Sequence, residues 1–389
     1  MQGEIIMTSY TKYKTTKGSF WRFQIFVGRD ETGKRIVKQR RGFATKKEAQ
    51  LAAIKLKTEL QNNSFIGNET ITFNKVYELW FENYKLTTKE STWSTTERNF
   101  ENHILPIFGS YPICKITPLQ CQKAVNNWFS KPLRNYKRFL NDIARVFDYA
   151  VHLKIVKDNP TTAVIRPRPS QQTGKRKDEK DFYYTKNELN TFLECLYDMD
   201  DFQAYAFFRT LSFTGMRKGE LLALTWQDID FRDYQISINK SQSNGHDNTL
   251  IVQSPKTRAS YRNIFIDPKT MKILQEWQTK QKIELHQLGF NSFSDEQLVF
   301  ASEKNQMHNP NKPRTWMIRC TDQYNLRHIP VHGFRHTYAT LAIQGGMAPK
   351  ELQKQLGHSD IKTTLDIYTA VTDNQMQNIP AQFTAFVDF

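Results

Sequence analysis

The sequence predicts a multidomain α+β protein: a small N-terminal sheet backed by one helix, an all-helical middle unit, and a mostly helical C-terminal unit with a small antiparallel sheet. Three observations predict this. At 389 residues the chain is too long for one ordinary core, so two or three domains are expected. Strand-like aromatic and β-branched runs near the N-terminus give way to helical spacing in the middle, and both patterns occur near the C-terminus. Arg166 to Lys180 (RPRPSQQTGKRKDEK) is Pro-rich, then charged, without apolar periodicity, and reads as an exposed linker. The expected boundaries are therefore 1–66, 70–165, a linker over 166–180, and 181–389.

In the first unit, Phe20 to Val27 reads as a strand, Gly28 to Gly33 as a polar turn, and Lys34 to Arg41 as a second strand. Thr45 opens a helix, with Glu48 completing a capping box. Ala49, Ala52, Ala53 and Leu56 share one face of it. The strands carry Arg22, Lys34, Lys38 and Arg40, so the sheet face is a candidate for entry into a DNA major groove.

In the second unit, Phe73, Val76, Tyr77, Trp80, Phe81 and Tyr84 recur at helical spacing and are read as core. Thr92 opens another helix, expected to end at His103-Ile104 and Pro106. Thr117-Pro118 marks an N-cap with Pro in the first turn. Leu140, Ile143, Ala144, Phe147 and Tyr149-Ala150 mark a helix that ends before Asn159-Pro160.

In the third unit, Thr185 caps a helix containing Leu189, Phe192 and Leu196, and Ala204 to Phe213 forms another. Strands are expected over Gln235 to Ile238, Thr249 to Val252 and Arg262 to Ile266.

Formal net charge is +16, and residues 1–65 hold 14 Lys/Arg against 5 Asp/Glu, a net of +9. So concentrated a basic excess on a folded unit is the footprint of a nucleic-acid binder. No run of about 18 apolar residues exists, so no membrane partner is expected. Met1 to Tyr10 lacks the pattern of a secretory signal. Cys114, Cys121, Cys195 and Cys320 are scattered, which points to a reducing compartment and away from a structural zinc.

The chemistry is concentrated in the third unit. Arg217 lies in TGMRKGE, and Lys256 in a turn between two strands. His332 and Arg335 are three residues apart and would share a helix face. His358 follows a Gly-marked helix end, and Tyr368 lies ten residues further on. Two arginines, a lysine, two histidines and a tyrosine suit phosphoryl transfer from DNA to a protein hydroxyl. Arginine forks match the nonbridging oxygens of a phosphodiester and stay charged. A tyrosine can be a covalent nucleophile, and a lysine on a hairpin can protonate the leaving oxygen. Protein cations then do the work of a metal, so neither metal nor cofactor is expected. His328, His332 and His336 recur every four residues like a metal face, but Pro330 interrupts any helix there. His336, His103, His152 and His286 are read as structural. Singly, each of the six has an ordinary reading, Arg335 as a buried ion-pair partner and Tyr368 as a packed aromatic. It is the ordered set that is specific.

With that set, the chain resembles the tyrosine recombinases, in particular the integrases of temperate phages and conjugative transposons of Gram-positive bacteria. The resemblance is carried by TGMRKGELLALTW, PKTRASYRNI, HGFRHTYAT and LGHSDIKTTLDIY, which place the family's catalytic residues at Arg217, Lys256, His332, Arg335, His358 and the nucleophile Tyr368, with Glu220 as a supporting acid. It extends to HILPIFG and FDYAVHLKIVKDNP in the second unit, similar to the family's core-binding domain. The first unit is similar to its arm-binding domain, a three-stranded sheet plus helix like that of AP2 factors. Many relatives have a histidine two residues after the nucleophile, where this chain has Ala370. The tail from Thr369 to Phe389, with Ile379, Phe383, Phe386, Val387 and Phe389, would dock on a neighbouring protomer or pack on its own domain.

The resemblance implies a site-specific recombinase that integrates and excises a mobile element through a 3′-phosphotyrosyl ester, without ATP. It implies double-stranded DNA as partner, at core and arm att sites, and four protomers working through a Holliday junction. An excisionase and a host DNA-bending protein would assist in the bacterial cytoplasm, at the nucleoid. The alternatives are a type IB topoisomerase, against which the arm-like first unit speaks, and an architectural DNA-binding protein without catalysis, against which the complete residue set speaks.

Overall fold

The computed structural model describes residues 8–16, 18–29, 35–62, 71–131, 133, 135–168, 182–255 and 258–372. The chain divides into two compact units, Met1–Thr173 and Gly174–Phe389.

The first unit begins with an antiparallel sheet in the order β1 (Thr8–Thr15), β2 (Gly18–Arg29), β3 (Arg35–Phe43), followed by α1 (Lys46–Asn62). Phe23 and Ile25 of β2 are fully buried against Ala49, Ala53 and Leu56 of α1, and Phe23 stacks on Phe43 at 5.6 Å. Thr45 Oγ1 accepts from the Glu48 amide, and the Glu48 carboxylate reaches back to the Ala44 amide. β1 has no fully buried residue, so no core-facing stripe marks it in the sequence. Gly42, at φ +98, stands unmatched where Trp21 pairs with Phe43 and Arg22 with Arg41. A bulge of this kind re-aims the strand. The expected turn falls largely on residues 30–34, outside the described residues.

The helical part has a core of its own. In α2 (Phe73–Thr87), Phe73, Val76, Tyr77, Trp80 and Phe81 are buried, each worth about 1.5–3 kcal/mol on removal from water. Tyr77 stacks on Phe100 at 4.2 Å. α3 (Glu90–Asn99) begins ahead of Thr92, and Pro106 does not end its path. A π turn, Phe100–Ile104, leads directly into α4 (Leu105–Phe108). The wider π turn changes the hydrogen-bond register just where the proline lacks a donor. α5 (Pro118–Ser130) carries the Thr117 cap, closed reciprocally by Gln120. α6 (Tyr136–His152) buries Phe139, Leu140, Ile143, Val146, Phe147 and Ala150. Among these sits Asp142, only 1% exposed, held by Arg145 at 3.1 Å and Asn99 at 3.4 Å. The start of the expected linker is tied down: Tyr136 Oη donates to Pro167 O, and Arg166 bonds Asn141.

The second unit packs α7 (Lys186–Asp198), α8 (Phe202–Thr214) and α9 (Lys218–Leu222) with β4 (Ile229–Asp230), β5 (Gln235–Ile238), β6 (Ser241–Asn244), β7 (Leu250–Gln253) and β8 (Arg262–Phe265). α10 (Pro268–Gln287), α11 (Lys312–Gln323), α12 (Gly333–Gln344), α13 (Pro349–Leu356) and α14 (Ile361–Thr372) complete it. The strands form one antiparallel sheet, β4-β5-β8, and one hairpin, β6-β7. β4 and β6 are additions to the sequence reading. The core runs through Phe192, Phe207, Phe208, Trp277, Phe300, Trp316 and Phe334. A separate small cluster, Ala339, Ile343, Leu352 and Leu356, joins α12 to α13. Among the described residues, no helix is long and apolar enough to cross a membrane.

Candidate active site

α8 ends at Gly215, whose φ of +63 suits glycine, and a Cβ there would lie 2.5 Å from the Tyr338 ring. The tight exit sets Arg217 at the N-cap of α9. Glu220, 2% exposed, accepts from the Arg217 backbone amide at 2.9 Å and from its Nη1 at 2.8 Å. The Arg217 side chain stays 40% exposed, so part of its guanidinium faces outward. Gly219 lets α9 lie against β6, since a Cβ would sit 2.6 Å from Gln242 O.

Arg335, in the first turn of α12, is 5% exposed. Its Nη1 donates to Gly215 O and its Nη2 to Leu356 O, both at 2.8 Å. These carbonyls lie at the ends of α8 and α13, where the helix dipole is negative. Burial, with Arg217 nearby, pushes Arg335 down to about 9, so it remains charged at neutral pH.

His332 occupies the N-cap position of α12, and its ring meets that of His336 edge-on at 5.2 Å. Desolvation by surrounding protein, with the His336, Arg335, Arg217 and Lys218 charges, pushes His332 down to about 4. His358 follows Gly357, the left-handed cap of α13. Its Nδ1 lies 2.9 Å from Oγ1 of the fully buried Thr364. Desolvation, then Arg335, Arg217 and Arg262, pushes it down to about 4. Both imidazoles are therefore neutral at pH 7.

Tyr368 lies on α14, partly buried, and packs with Ile367 against the Ala339–Ile343–Leu352–Leu356 cluster. Leu356 belongs to that cluster and supplies the carbonyl that holds Arg335. The fold thus gathers Arg217, Glu220, His332, Arg335 and His358 around the ends of α8, α12 and α13, with α14 packed on α12 and α13. Lys256 lies outside the described residues, between β7 and β8. His328, His332 and His336 do not share a helix, because α12 begins only at Gly333.

Two polar residues were not singled out in the sequence. Thr364 is the partner of His358. Arg262, on β8 and 5% exposed, pairs with Glu220 at 3.0 Å. The motif PKTRASYRNI contains Arg262, but nothing in it tells an inward arginine from an outward one.

The four basic residues read from the N-terminal sheet do not form one row. Arg22 lies across from Arg41, and Gln24 from Gln39, bonded through their amides at 3.0 Å. Lys38 and Arg40 lie across from Ile25 and Phe23, on the rows that meet α1. The strict alternation of a strand divides them, since the register is unbroken from Arg22–Arg41 to Phe26–Val37. Lys34 lies outside the described residues.

Residues 183–375 match the Phage integrase family, 72–129 the phage integrase N-terminal SAM-like domain, and 10–60 an arm DNA-binding domain. The chain is 27% identical over 350 residues to the ICEBs1 integrase of Bacillus subtilis (strain 168), covering 90% of this chain and 92% of that one. It resembles in fold the Tn1549 transposon integrase in complex with a circular intermediate DNA, with a TM-score of 0.64 at 20% identity, over 79% of this chain and 99% of that one. It also resembles a lambda integrase tetramer bound to a Holliday junction, with a TM-score of 0.56 at 16% identity, over 92% and 94% of the two chains.

Proposed function

The chain belongs to the phage integrase family and is a site-specific tyrosine recombinase, and from that premise we propose how its own residues cut and rejoin DNA. Tyr368 Oη attacks the scissile phosphorus, the bond from phosphorus to the 5′ oxygen breaks, and a 3′-phosphotyrosyl ester remains. Arg217 and Arg335 hold the nonbridging oxygens, whose charge grows in the transition state. Lys256 gives its proton to the leaving 5′ oxygen. Neutral His332 has a lone pair to accept the tyrosyl proton. The Thr364 hydroxyl donates to His358 Nδ1, which leaves Nε2–H to donate to the phosphate. A 5′ hydroxyl from the partner strand reverses the step, and the ester conserves the bond energy.

The observation that carries this reading is the seating of Arg335. A nearly buried guanidinium fixed to two helix-end carbonyls, close to Arg217 and to two neutral histidines, supports the reading of an anion site assembled before any substrate arrives. Residues 70–165 and 181–389 would clamp the crossover site, joined through 166–180. Residues 1–66 would bind arm sites, with Arg22 and Arg41 leading the face turned from α1. Four protomers would exchange strands through a Holliday junction, with an excisionase and a host DNA-bending protein assisting at the bacterial nucleoid. The test is incubation with nicked core-site DNA. An SDS-resistant adduct forms with the wild type and is absent from Tyr368→Phe. An adduct that persists in that variant overturns the assignment of the nucleophile.

A further inference from the structure

Glu220 has two guanidinium partners where one would satisfy it. Arg217 reaches Oε1 from one side, and Arg262 takes both oxygens from the other, Nη2 to Oε2 at 3.0 Å and Nη1 to Oε1 at 3.4 Å. The remaining Arg262 donors also point inward, Nε to Gln355 O at 2.8 Å and Nη1 to Ser260 O at 3.1 Å. Arg262 thus spends its Nε, both Nη1 hydrogens and one Nη2 hydrogen within the protein, whereas Arg335 keeps its Nε and one hydrogen on each Nη for a phosphate.

Its position nonetheless bears on two parts of the site, the Arg217–Glu220 pair and the end of α13. It begins β8, the strand that follows Lys256 in the chain. It binds the acid that orients Arg217. It also bonds the last turn of α13, one residue before the carbonyl that seats Arg335 and three before His358. A Cβ on Gly357 would approach Arg262 Nη1 to 3.0 Å, so the helix end and the guanidinium are in close contact.

The charge count decides what this arrangement does. Arg217 and Glu220 alone would cancel, and a buried carboxylate with a single partner holds that partner's charge to itself. A second guanidinium on Glu220 restores one net positive charge to the trio.

We propose that Arg262 is a positioning residue for strand cleavage: by sharing Glu220 it leaves the charge of Arg217 available to the scissile phosphate and holds the helix end that carries His358 beside it. The inference rests on the assignment of Arg217 to the phosphate given above.

The test compares Arg262→Met, Arg262→Met/Glu220→Gln and Arg262→Lys in the full-length protein. Core-site binding is measured by titration, and single-turnover cleavage on nicked DNA with enzyme in excess. Arg262→Met cleaves about 100-fold more slowly, the usual cost of one lost electrostatic contact, while its Kd stays within about threefold of wild type. Adding Glu220→Gln removes the uncompensated carboxylate and recovers at least about tenfold of the rate, because Arg217 regains its charge. A purely structural role gives the opposite, since the double variant has lost two sets of hydrogen bonds and is slower still. That result overturns the proposal. Should Arg262→Met not fold, Arg262→Lys decides: it keeps the charge and cleaves within about tenfold of wild type, and a folded Arg262→Lys that does not cleave overturns the proposal. An Arg217→Lys variant that cleaves like wild type sinks the assignment of Arg217 to the phosphate, whereas a cleavage-defective Arg217→Lys together with failure of the double-variant rescue sinks this inference alone.

Discussion

Replacing Arg335 with lysine separates the two tasks of this side chain. The guanidinium spans Gly215 O and Leu356 O, each at 2.8 Å, from a position 5% exposed. A lysine has one nitrogen and can serve one of these carbonyls. The other is left buried and unpaired, which costs about 1–3 kcal/mol. For a unit of this size that is roughly 2–4 °C in Tm for each kcal/mol. The same replacement turns a planar fork into a point charge, and the loss of one such contact in the transition state costs roughly 3–4 kcal/mol, or 10²–10³ in rate. Urea titration gives the first quantity. Single-turnover cleavage of nicked DNA, with binding saturated, gives the second. Arg335→Lys should therefore be folded, slightly less stable and at least about 100-fold slower. A variant that melts early yet cleaves within about threefold of wild type would show that Arg335 is scaffolding alone.

The other predictions concern positions around it. Gly357→Ala forces a side chain into left-handed backbone at φ +69 and against Ala259 O at 2.9 Å. It should lose at least about 1–2 kcal/mol in denaturant titration, with cleavage reduced more than DNA binding because His358 follows directly. Thr364→Val keeps the shape but leaves His358 Nδ1 unpartnered, so cleavage should fall, whereas Thr364→Ser should retain it. The histidines set a pH window: His332 and His358 are pushed down to about 4 in the folded chain, against 6.5 when unexposed to these neighbours. Between these values the unfolded chain binds more protons. Stability is thus fully present above about pH 6.5 and falls as pH drops toward 4. Imidazole NMR of the free protein should show both rings still neutral at pH 6; half-protonation of either ring there would refute the shift. For Asp142 burial raises the carboxyl pKa, outweighing Asn99 and its two arginines. Its charged form therefore costs stability at neutral pH, so Asp142→Asn should be neutral or stabilising at pH 7, and that advantage should vanish at pH 3, where the acid is protonated in both states.

Local chemistry was legible in the sequence where its partners lie within a turn. The caps at Thr45, Thr117 and Thr185, each closed by an acid or amide three residues on, read directly, as did the Gly357 helix end. Two things were hidden for physical reasons. The path through Pro106 depends on a π turn, which no periodicity announces. The N-terminal sheet depends on register: pairing Phe23 with Arg40 and Ile25 with Lys38 puts those two basic side chains on the rows that meet α1 and leaves Arg22 on the other face. In the site, Arg217, Arg335 and His358 stood out because charged and ionisable groups at helix ends are conspicuous, whereas Glu220 came only from the family resemblance. Arg262 did not, because its carboxylate partner is 42 residues away and its strand alternates without a clear apolar face.

The helix that bears Tyr368 rests on four small and medium side chains between α12 and α13, while the main core with its many aromatic rings lies elsewhere. Stability is distributed accordingly: α14 can lift off its seat at a small fraction of the energy needed to melt α8. Its amide hydrogens should exchange well before those of α8. The consequence is a reagent on a loose mount: because Thr364 of the same helix holds His358, a lifted α14 would cost that histidine its partner while Arg335 keeps both of its carbonyls.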